Sequence, residues 1–339
     1  MKFALKMVAV SAAAILLTAG CSSPSGTTTG DSTGGSANYN LTLLPKNLGN
    51  PYFDTSNKGA AEAAGEFSGK ITFTGPAEGA ADSQVSFINT ATQQKVGAVM
   101  IASNDQTAVC DALNEAMAAG VKVVTFDSDA PTCRDIFINQ ATADGIAKVL
   151  VEMIVDQVDN EGQIAILSAT ANATNQNAWI ESMKKDLAAN HPGIELVEVV
   201  YGDDQDQMSF DKTAALLATY PELKGIVAPT TVGIAAAARY VSTSEYKGKV
   251  AVTGLGTPND MRAYVTDGTV TEFALWNPAD LGYLATYAAK ALIDGTITGA
   301  EGDKFEAGKL GSYTVGADKT VLLGDPYKFN KGNIGDFDF

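Results

Sequence analysis

From residue 38 onward, short apolar segments alternate with longer amphipathic ones, and this order limits the folds open to the chain. The short segments are rich in Val and Ile and show little strict alternation of apolar and polar residues, which is typical of strands covered on both faces. They are residues 40–44, 70–74, 98–102, 122–126, 163–168, 195–200, 225–228, 249–254 and 271–276. Strands that alternate with helices predict parallel, doubly wound sheets of the α/β class.

The segments between these strands have helical spacing. They are residues 51–67, 84–94, 107–119, 144–158, 177–189, 212–220, 234–242 and 280–292. So many units are too many for one sheet, and roughly 300 residues suit two lobes. We therefore expect two Rossmann-like lobes joined by a hinge. The N-terminal lobe takes residues 38–139 plus 273–294, and the C-terminal lobe takes 140–272 plus 295–339.

Residues 1–20 read as an export signal. Lys2 and Lys6 precede an apolar run that is too short to remain in a bilayer as a spanning helix. The small residues before Cys21 resemble the lipobox of bacterial lipoproteins, and that resemblance implies cleavage before Cys21 and a lipid on its sulfur. A plain secretory signal with a free Cys21 is the alternative.

Residues 21–37 are nearly all Ser, Thr and Gly, a composition that predicts a flexible tether. With a lipid on Cys21, the tether would hold the globular part at the outer face of the cell membrane. In a cell with an outer membrane, that location is the periplasm.

Charge and residue types exclude several classes of function. The formal net charge is −16, which argues against a nucleic-acid partner because such a partner requires a basic face. The chain has one histidine, His191, and no nucleophile elbow of the form Gly-x-Ser-x-Gly. It also lacks a metal-ligand cluster and a full dinucleotide fingerprint. We expect neither an enzyme nor a cofactor or metal site.

Two cysteines remain if Cys21 carries a lipid. Cys110 and Cys133 then form an even pair in an oxidising compartment, on elements that neighbour each other in a strand–helix series. A disulfide between them is expected, with two unpaired buried thiols as the alternative.

The stretch from Leu43 to Phe53 carries the first candidate site residues. Asn50 suits a helix N-cap and Pro51 the first helical position, so the loop before them lies outside the carboxyl end of the first strand. Ligands bind at that edge in open α/β sheets. Lys46 offers a cationic donor there and Phe53 a flat apolar face. An ordinary connection with Phe53 in the core is the alternative.

Further polar and aromatic residues follow later strands. Carboxylates, amides, hydroxyls and flat rings together suit a neutral, sugar-like ligand. Helix caps, solvated loops and core packing are the alternatives for individual members. The candidates are Asp127, Asp129, Asn175, Gln176, Trp179, Pro229, Thr231 and Asn277. Residues 203–206, Asp-Asp-Gln-Asp, lack the Gly and the terminal Glu of a calcium loop, and we interpret them as a solvated acidic turn or at most a rim contributor.

Several blocks resemble the type I periplasmic binding proteins of ABC importers, and within them the rhamnose-binding and autoinducer-2-binding receptors. The blocks are residues 45–53, 126–129, 173–179, 228–233, 252–256 and 272–278. The resemblance implies two lobes that close on one small sugar-like ligand. It also implies a monomer that delivers its ligand to a membrane permease with a cytoplasmic ATPase.

The resemblance leaves the ligand open. Autoinducer-2 receptors hold their ligand with residues matching Lys46, Asp127, Gln176 and Pro229. They carry an Asp where this chain has Asn175 and an Ala where it has Thr231, and both departures favour the rhamnose type. The pair Cys110 and Cys133 resembles the autoinducer-2 type instead. A receptor that feeds a sensor kinase is a further alternative, because the docking faces cannot be read from the sequence.

Overall fold

A computed structural model of the protein describes residues 37–339. The expected export signal, Cys21 and the tether up to residue 36 lie outside the described residues. Within residues 37–339, no helix is both long enough and apolar enough to span a membrane.

The first sheet has six parallel strands in the spatial order β13-β5-β4-β3-β1-β2. Four of them, the first four in the chain, match the predicted segments closely, because each contains large apolar residues, buried in three of the strands and half-buried in the strand at residues 70–73. The strands are β1 (Asn40–Leu44), β2 (Lys70–Phe73), β3 (Ala98–Ile101), β4 (Lys122–Phe126), β5 (Ile136–Asn139) and β13 (Thr320–Leu322).

The second sheet has four parallel strands in the order β7-β6-β8-β9. They are β6 (Gly162–Ser168), β7 (Ile194–Tyr201), β8 (Leu223–Ala228) and β9 (Ala251–Gly254). A bridge from Leu255 to Ala274 places β10 (Glu272–Leu275) beside the end of β9, and β10 pairs antiparallel with β14 (Tyr327–Asn330). A short hairpin, β11 (Lys304–Glu306) with β12 (Ser312–Thr314), completes the strands of the described residues. The two doubly wound α/β lobes expected from the sequence are confirmed.

The helices of residues 37–339 cover the faces of both sheets. They are α1 (Pro51–Glu66), α2 (Val85–Gln93), α3 (Cys110–Ala118), α4 (Ala143–Gln157), α5 (Thr174–Asn190), α6 (Asp206–Thr219), α7 (Thr231–Ser242), α8 (Pro258–Thr266) and α9 (Pro278–Ile293). Of these, α8 was not predicted.

The C-terminal segment divides between the lobes, which corrects part of the expected boundaries. Residues 295–339 were expected in the C-terminal lobe, but Thr320 to Leu322 pair with β5 of the first sheet. Phe273 to Leu275 were expected in the N-terminal lobe, but they lie against β9 and β14. Residues 320–322 form a strand too short to leave a local pattern, and their partner is distant in sequence. Residues 273–275 were predicted correctly as part of a strand, but the lobe to which that strand belongs depends on pairing that the local pattern does not show.

Helices α1 and α9 pack closely in the N-terminal lobe. A Cβ atom on Gly59 would lie 1.8 Å from the carbonyl oxygen of Ala279, and one on Gly282 would lie 2.0 Å from that of Ser56. Only glycine permits this approach on both helices. The return of the chain to the first lobe through α9 therefore places the end of β10 at a crossing between the lobes.

The expected disulfide is confirmed. Cys110 and Cys133 are bonded, and they join the start of α3 to the loop between β4 and β5. That loop also carries Asp127, so the disulfide fixes part of the edge at which the two lobes meet.

Candidate functional site

A cavity lies between the lobes, where strands of both sheets end. It encloses about 360 Å³ of space when its opening to solvent is included. Side chains from both lobes and from the crossing line it. They are Lys46, Asn50, Tyr52, Phe53, Asp127, Asn175, Gln176, Trp179, Asp204, Pro229, Thr230, Thr231, Leu255, Leu275 and Trp276.

Nine of the residues predicted from the sequence line this cavity. They are Lys46, Asn50, Phe53, Asp127, Asn175, Gln176, Trp179, Pro229 and Thr231. They meet because the carboxyl ends of parallel strands share one edge of each sheet, and the two edges face each other across the cleft.

An ion pair with a bridging amide forms the polar side of the cavity. The ammonium of Lys46 lies 3.6 Å from Oδ1 of Asp127, and both side chains are buried. From the other lobe, Asn175 accepts a hydrogen bond from Lys46 Nζ at 2.9 Å and donates to Asp127 Oδ1 at 3.2 Å. Helix α5 begins at Thr174, three residues before the predicted start, and this places Asn175 in its first turn.

Tyr52 binds Asp127, and Trp276 in turn binds Tyr52. The hydroxyl of Tyr52 donates to Asp127 Oδ2 at 3.0 Å and accepts from the indole N–H of Trp276 at 2.8 Å. Burial, together with the Asp127 charge, raises the pKa of Tyr52 well above 10.0, so Tyr52 stays protonated and remains a donor. Burial also raises the pKa of Asp127 above its usual value near 3.8, and Lys46 opposes that rise.

Aromatic rings form another part of the cavity wall, next to this polar network. Tyr52 meets Phe53 edge-on at 5.0 Å between centroids, and Trp276 lies 6.0 Å from Trp179. The polar atoms of Tyr52 and Trp276 are engaged within the protein, as described above. That part of the wall therefore presents ring carbon to the cavity.

Gln176 is oriented by the end of β6. Its Oε1 accepts from Ser168 Oγ at 2.7 Å and from the backbone N–H of Ala169 at 2.8 Å. Since its oxygen is taken, the amide nitrogen is the group that Gln176 can offer to a ligand.

Asp204 and Thr230 also line the cavity, although neither was predicted as a site residue. Thr230 donates a hydrogen bond to Oδ1 of Asp204. Burial raises the pKa of the Asp204 carboxyl, and the hydrogen bond from Thr230 opposes this. Asp204 therefore fits the rim contributor that was left open for residues 203–206, whereas the exposed Asp203 fits the solvated turn.

Two predicted site residues lie elsewhere. Asp129 does not line the cavity, because Arg134 binds both of its carboxylate oxygens, at 2.6 and 2.8 Å. Asn277 caps α9, where its Oδ1 accepts from the N–H of Ala279 at 2.9 Å. Both instead take structural roles that were left open as alternatives to binding.

Four other lining residues were not among the predicted site residues. Tyr52 lies beside the predicted Phe53, and Leu255 and Leu275 follow or end strands of the second lobe. Trp276 directly follows the end of β10. In the sequence, the only feature that could have identified these four residues as site residues was their position at the end of a strand or the start of a helix. No group of His, Cys, Asp or Glu within residues 37–339 could hold a metal ion.

Two lobes of parallel sheet, facing each other across a lined cleft, define a two-lobed solute-binding protein. A family model described as periplasmic binding protein domain matches residues 41–297. The chain belongs to this family of type I binding proteins, which function outside the cytoplasm in ABC sugar transport, and it is a binding protein and not an enzyme.

Solved structures agree with this family. A sugar ABC transporter protein from Actinomyces odontolyticus is 54% identical, with a TM-score of 0.72, over 88% of this chain and 97% of that one. A solute-binding protein from Clostridium phytofermentans with bound L-rhamnose is 38% identical, with a TM-score of 0.85, over 88% and 98%. LsrB from Clostridium saccharobutylicum in complex with AI-2 is 28% identical, with a TM-score of 0.83, over 88% and 100%.

A relative with a curated description is also a binding protein for sugar import. The ribose import binding protein RbsB of Bacillus subtilis is 23% identical over 270 residues, which are 77% of this chain and 84% of the relative.

Proposed function

We propose that the protein is a lipid-anchored receptor that delivers a rhamnose-like deoxyhexose to an ABC permease and its ATPase. The observation that carries this proposal is the mixed lining of the cavity. Lys46, Asp127 and Asn175 supply charged and amide groups, and aromatic rings supply an apolar surface.

The polar part of the lining suits ring hydroxyls. A hydroxyl donates to a carboxylate and accepts from an ammonium or an amide, and hydrogen bonds to charged groups are the stronger ones. Asp127, Lys46 and the amide nitrogen of Gln176 supply these groups in one cavity.

The aromatic part of the lining suits the methyl group that distinguishes a 6-deoxyhexose from an ordinary hexose. Tyr52 and Trp276 hydrogen-bond each other, so a hydroxyl placed against them would lose its own partner. A buried polar group without a partner costs about 1–3 kcal/mol. Phe53 stacks on the C–H face of the sugar in this arrangement. The L-rhamnose bound to the Clostridium phytofermentans relative supports the same ligand class.

Autoinducer-2 is the second candidate, and four residues of the cavity favour it. Lys46, Asp127, Gln176 and Pro229 all line the cavity, as expected for autoinducer-2 receptors. Asn175 argues the other way, since an Asp at this position would bring a second carboxylate close to Asp127. We therefore rank the deoxyhexose first.

Closure of the lobes follows from contacts that cross the cleft. Lys46 and Asn175 meet in the cavity, and at its rim Asn172 donates to the carbonyl of Asn104 at 2.9 Å. A ligand that contacts both lobes stabilises the closed arrangement over the open one.

The proposal includes a monomer held at the membrane by a lipid on Cys21. A receptor that feeds a sensor kinase would use the same cavity.

Binding can be followed without a label, because both tryptophans of the chain line the cavity. We would titrate the protein with L-rhamnose, L-fucose, D-ribose, D-galactose and the autoinducer-2 precursor, and measure tryptophan fluorescence and thermal unfolding. A ligand at a hundred times its Kd adds about 2.7 kcal/mol of stability. Saturable binding of L-rhamnose, with weaker binding of D-galactose, is expected.

Tighter binding of D-galactose or of the autoinducer-2 precursor would overturn the deoxyhexose proposal. Delivery to a permease is tested separately, by loss of uptake of labelled L-rhamnose when the gene is deleted. The anchor is tested by release of a Cys21→Ser variant from the membrane fraction.

A further inference from the structure

We infer that Asp204 is a specificity-determining residue of the cavity, whose free carboxylate oxygen accepts a hydrogen bond from a hydroxyl of the bound ligand and repels an anionic group there. The inference rests on the proposed function, because it concerns the same cavity. It adds a residue that the resemblance to known receptors did not include.

The backbone around Asp204 is held in an uncommon conformation. Asp203 and Asp204 have φ angles of +52° and +51°, in the left-handed region that most residues avoid. Two hydrogen bonds fix this turn to the end of β6, from Gly202 N–H to the Ser168 carbonyl and from Asp203 N–H to the Ala169 carbonyl, both at 2.9 Å. These two bonds hold the turn that carries Asp204 next to the end of β6.

The carboxylate of Asp204 is only half satisfied by the protein. Thr230 occupies Oδ1, and Oδ2 has no hydrogen-bond or ion-pair partner within residues 37–339. Lys46 acts on Asp204 through its charge but forms its ion pair with Asp127. A carboxylate oxygen that faces a cavity and lacks a partner there is an acceptor available to a ligand hydroxyl.

Asp204 also lies at the junction with a second cavity, which opens at the outer edge of the cleft. That outer cavity is lined by Asp206 and Asp260 as well, and the cation beside it, Arg239, is paired with Asp206. Negative charge at the junction and beyond disfavours a phosphate or carboxylate group on the ligand. The arrangement thus selects neutral sugars over sugar phosphates and uronic acids.

The test compares Asp204→Asn with Asp203→Asn in the full mature protein. Asn keeps the acceptor for Thr230 and tolerates the left-handed backbone, so the variant removes the negative charge and replaces the free acceptor oxygen with an amide nitrogen that can only donate. Asp203 has the same backbone region and an exposed side chain, which makes it the matched control. We would measure Kd for L-rhamnose by tryptophan fluorescence and the thermal midpoint without sugar.

We expect Asp204→Asn to weaken L-rhamnose binding by about tenfold or more, while Asp203→Asn stays within about twofold of the wild type. Without sugar, the midpoint of Asp204→Asn should rise, because the variant removes the desolvation cost of a carboxylate that has no ion-pair partner within residues 37–339. Unchanged L-rhamnose affinity in Asp204→Asn, or a lowered midpoint, would overturn the inference. If the wild type does not bind L-rhamnose, the proposed ligand is wrong, and the midpoint alone decides the role of Asp204.

Discussion

The Lys46 ammonium lies 2.9 Å from Oδ1 of Asn175, and this hydrogen bond joins the two lobes across the cleft. Lys46 follows the first strand of one sheet, whereas Asn175 lies in the first turn of a helix that follows a strand of the other. Asn175 also contacts Asp127, so one side chain from the C-terminal lobe bridges both charges of the N-terminal lobe.

The first prediction concerns this bridge. Asn175→Ala removes the acceptor for Lys46 and the donor to Asp127. We expect sugar affinity to fall by about tenfold or more. Isothermal titration calorimetry with L-rhamnose measures the change. Asn190→Ala, at the exposed far end of the same helix, is the matched control and should bind as the wild type does. Equal affinities of the two variants would show that the bridge does not contribute to binding.

The second prediction concerns Lys46 and pH. Lys46→Met leaves the Asp127 carboxylate buried without its cation, and we expect the free energy of unfolding to fall by about 3 kcal/mol or more at neutral pH. The same change should raise the pKa of Asp127 beyond the rise that burial already causes. Lys58→Met, on the exposed face of α1, is the control.

The sign of the pH dependence follows from this raised pKa. A carboxyl whose native pKa exceeds its unfolded value binds its proton more tightly in the folded protein, so its contribution to stability falls as pH rises from about 3.8 through the native pKa. The deficit of Lys46→Met relative to the wild type should therefore shrink on acidification. Denaturant unfolding at neutral and at mildly acidic pH measures it. A deficit that grows on acidification would contradict the mechanism.

Most of the residues that line the cavity could be predicted from the sequence, because the alternation of strands and helices shows which residues lie at the carboxyl ends of the strands. Residues just after parallel strands meet at one edge, so Lys46, Asp127 and Pro229 could be placed together without coordinates. Asp127 and Asp129 could not be separated in this way, since they follow the same strand two residues apart. The left-handed φ of Asp127, +60°, and the pairing of Asp129 with Arg134 decide which carboxylate faces the cleft.

Asp204 was missed for a related physical reason. An acidic turn is usually solvated, and only the hydrogen bonds from its backbone to the end of β6 place Asp204 at the cavity. The strand at residues 320–322 was missed because its parallel partner, β5, lies far away in sequence. Pairing over such a distance leaves no periodic signal in three residues.

The third prediction concerns the disulfide. Cys110 and Cys133 are separated by 23 residues, and closing a loop of this size stabilises a protein by about 3 kcal/mol in the chain-entropy account. We expect the double variant Cys110→Ser/Cys133→Ser to lose about this much in denaturant unfolding. Reduction of the wild type with dithiothreitol should produce the same loss, and should leave the double variant unchanged. A wild type insensitive to the reductant would contradict a stabilising role.

The last prediction separates binding from folding at Gln176. Its Oε1 accepts from the Ser168 hydroxyl and the Ala169 N–H, so Gln176→Ala leaves two donors at the end of β6 without their partner. We expect the free energy of unfolding to fall by about 1–3 kcal/mol and sugar affinity to fall as well. Gln176→Glu keeps the acceptor for both donors but replaces the amide nitrogen that faces the ligand. It should recover much of the stability and none of the affinity for L-rhamnose. If Gln176→Ala instead binds the sugar as tightly as the wild type, Gln176 is a structural residue of the cavity wall and does not contact the ligand.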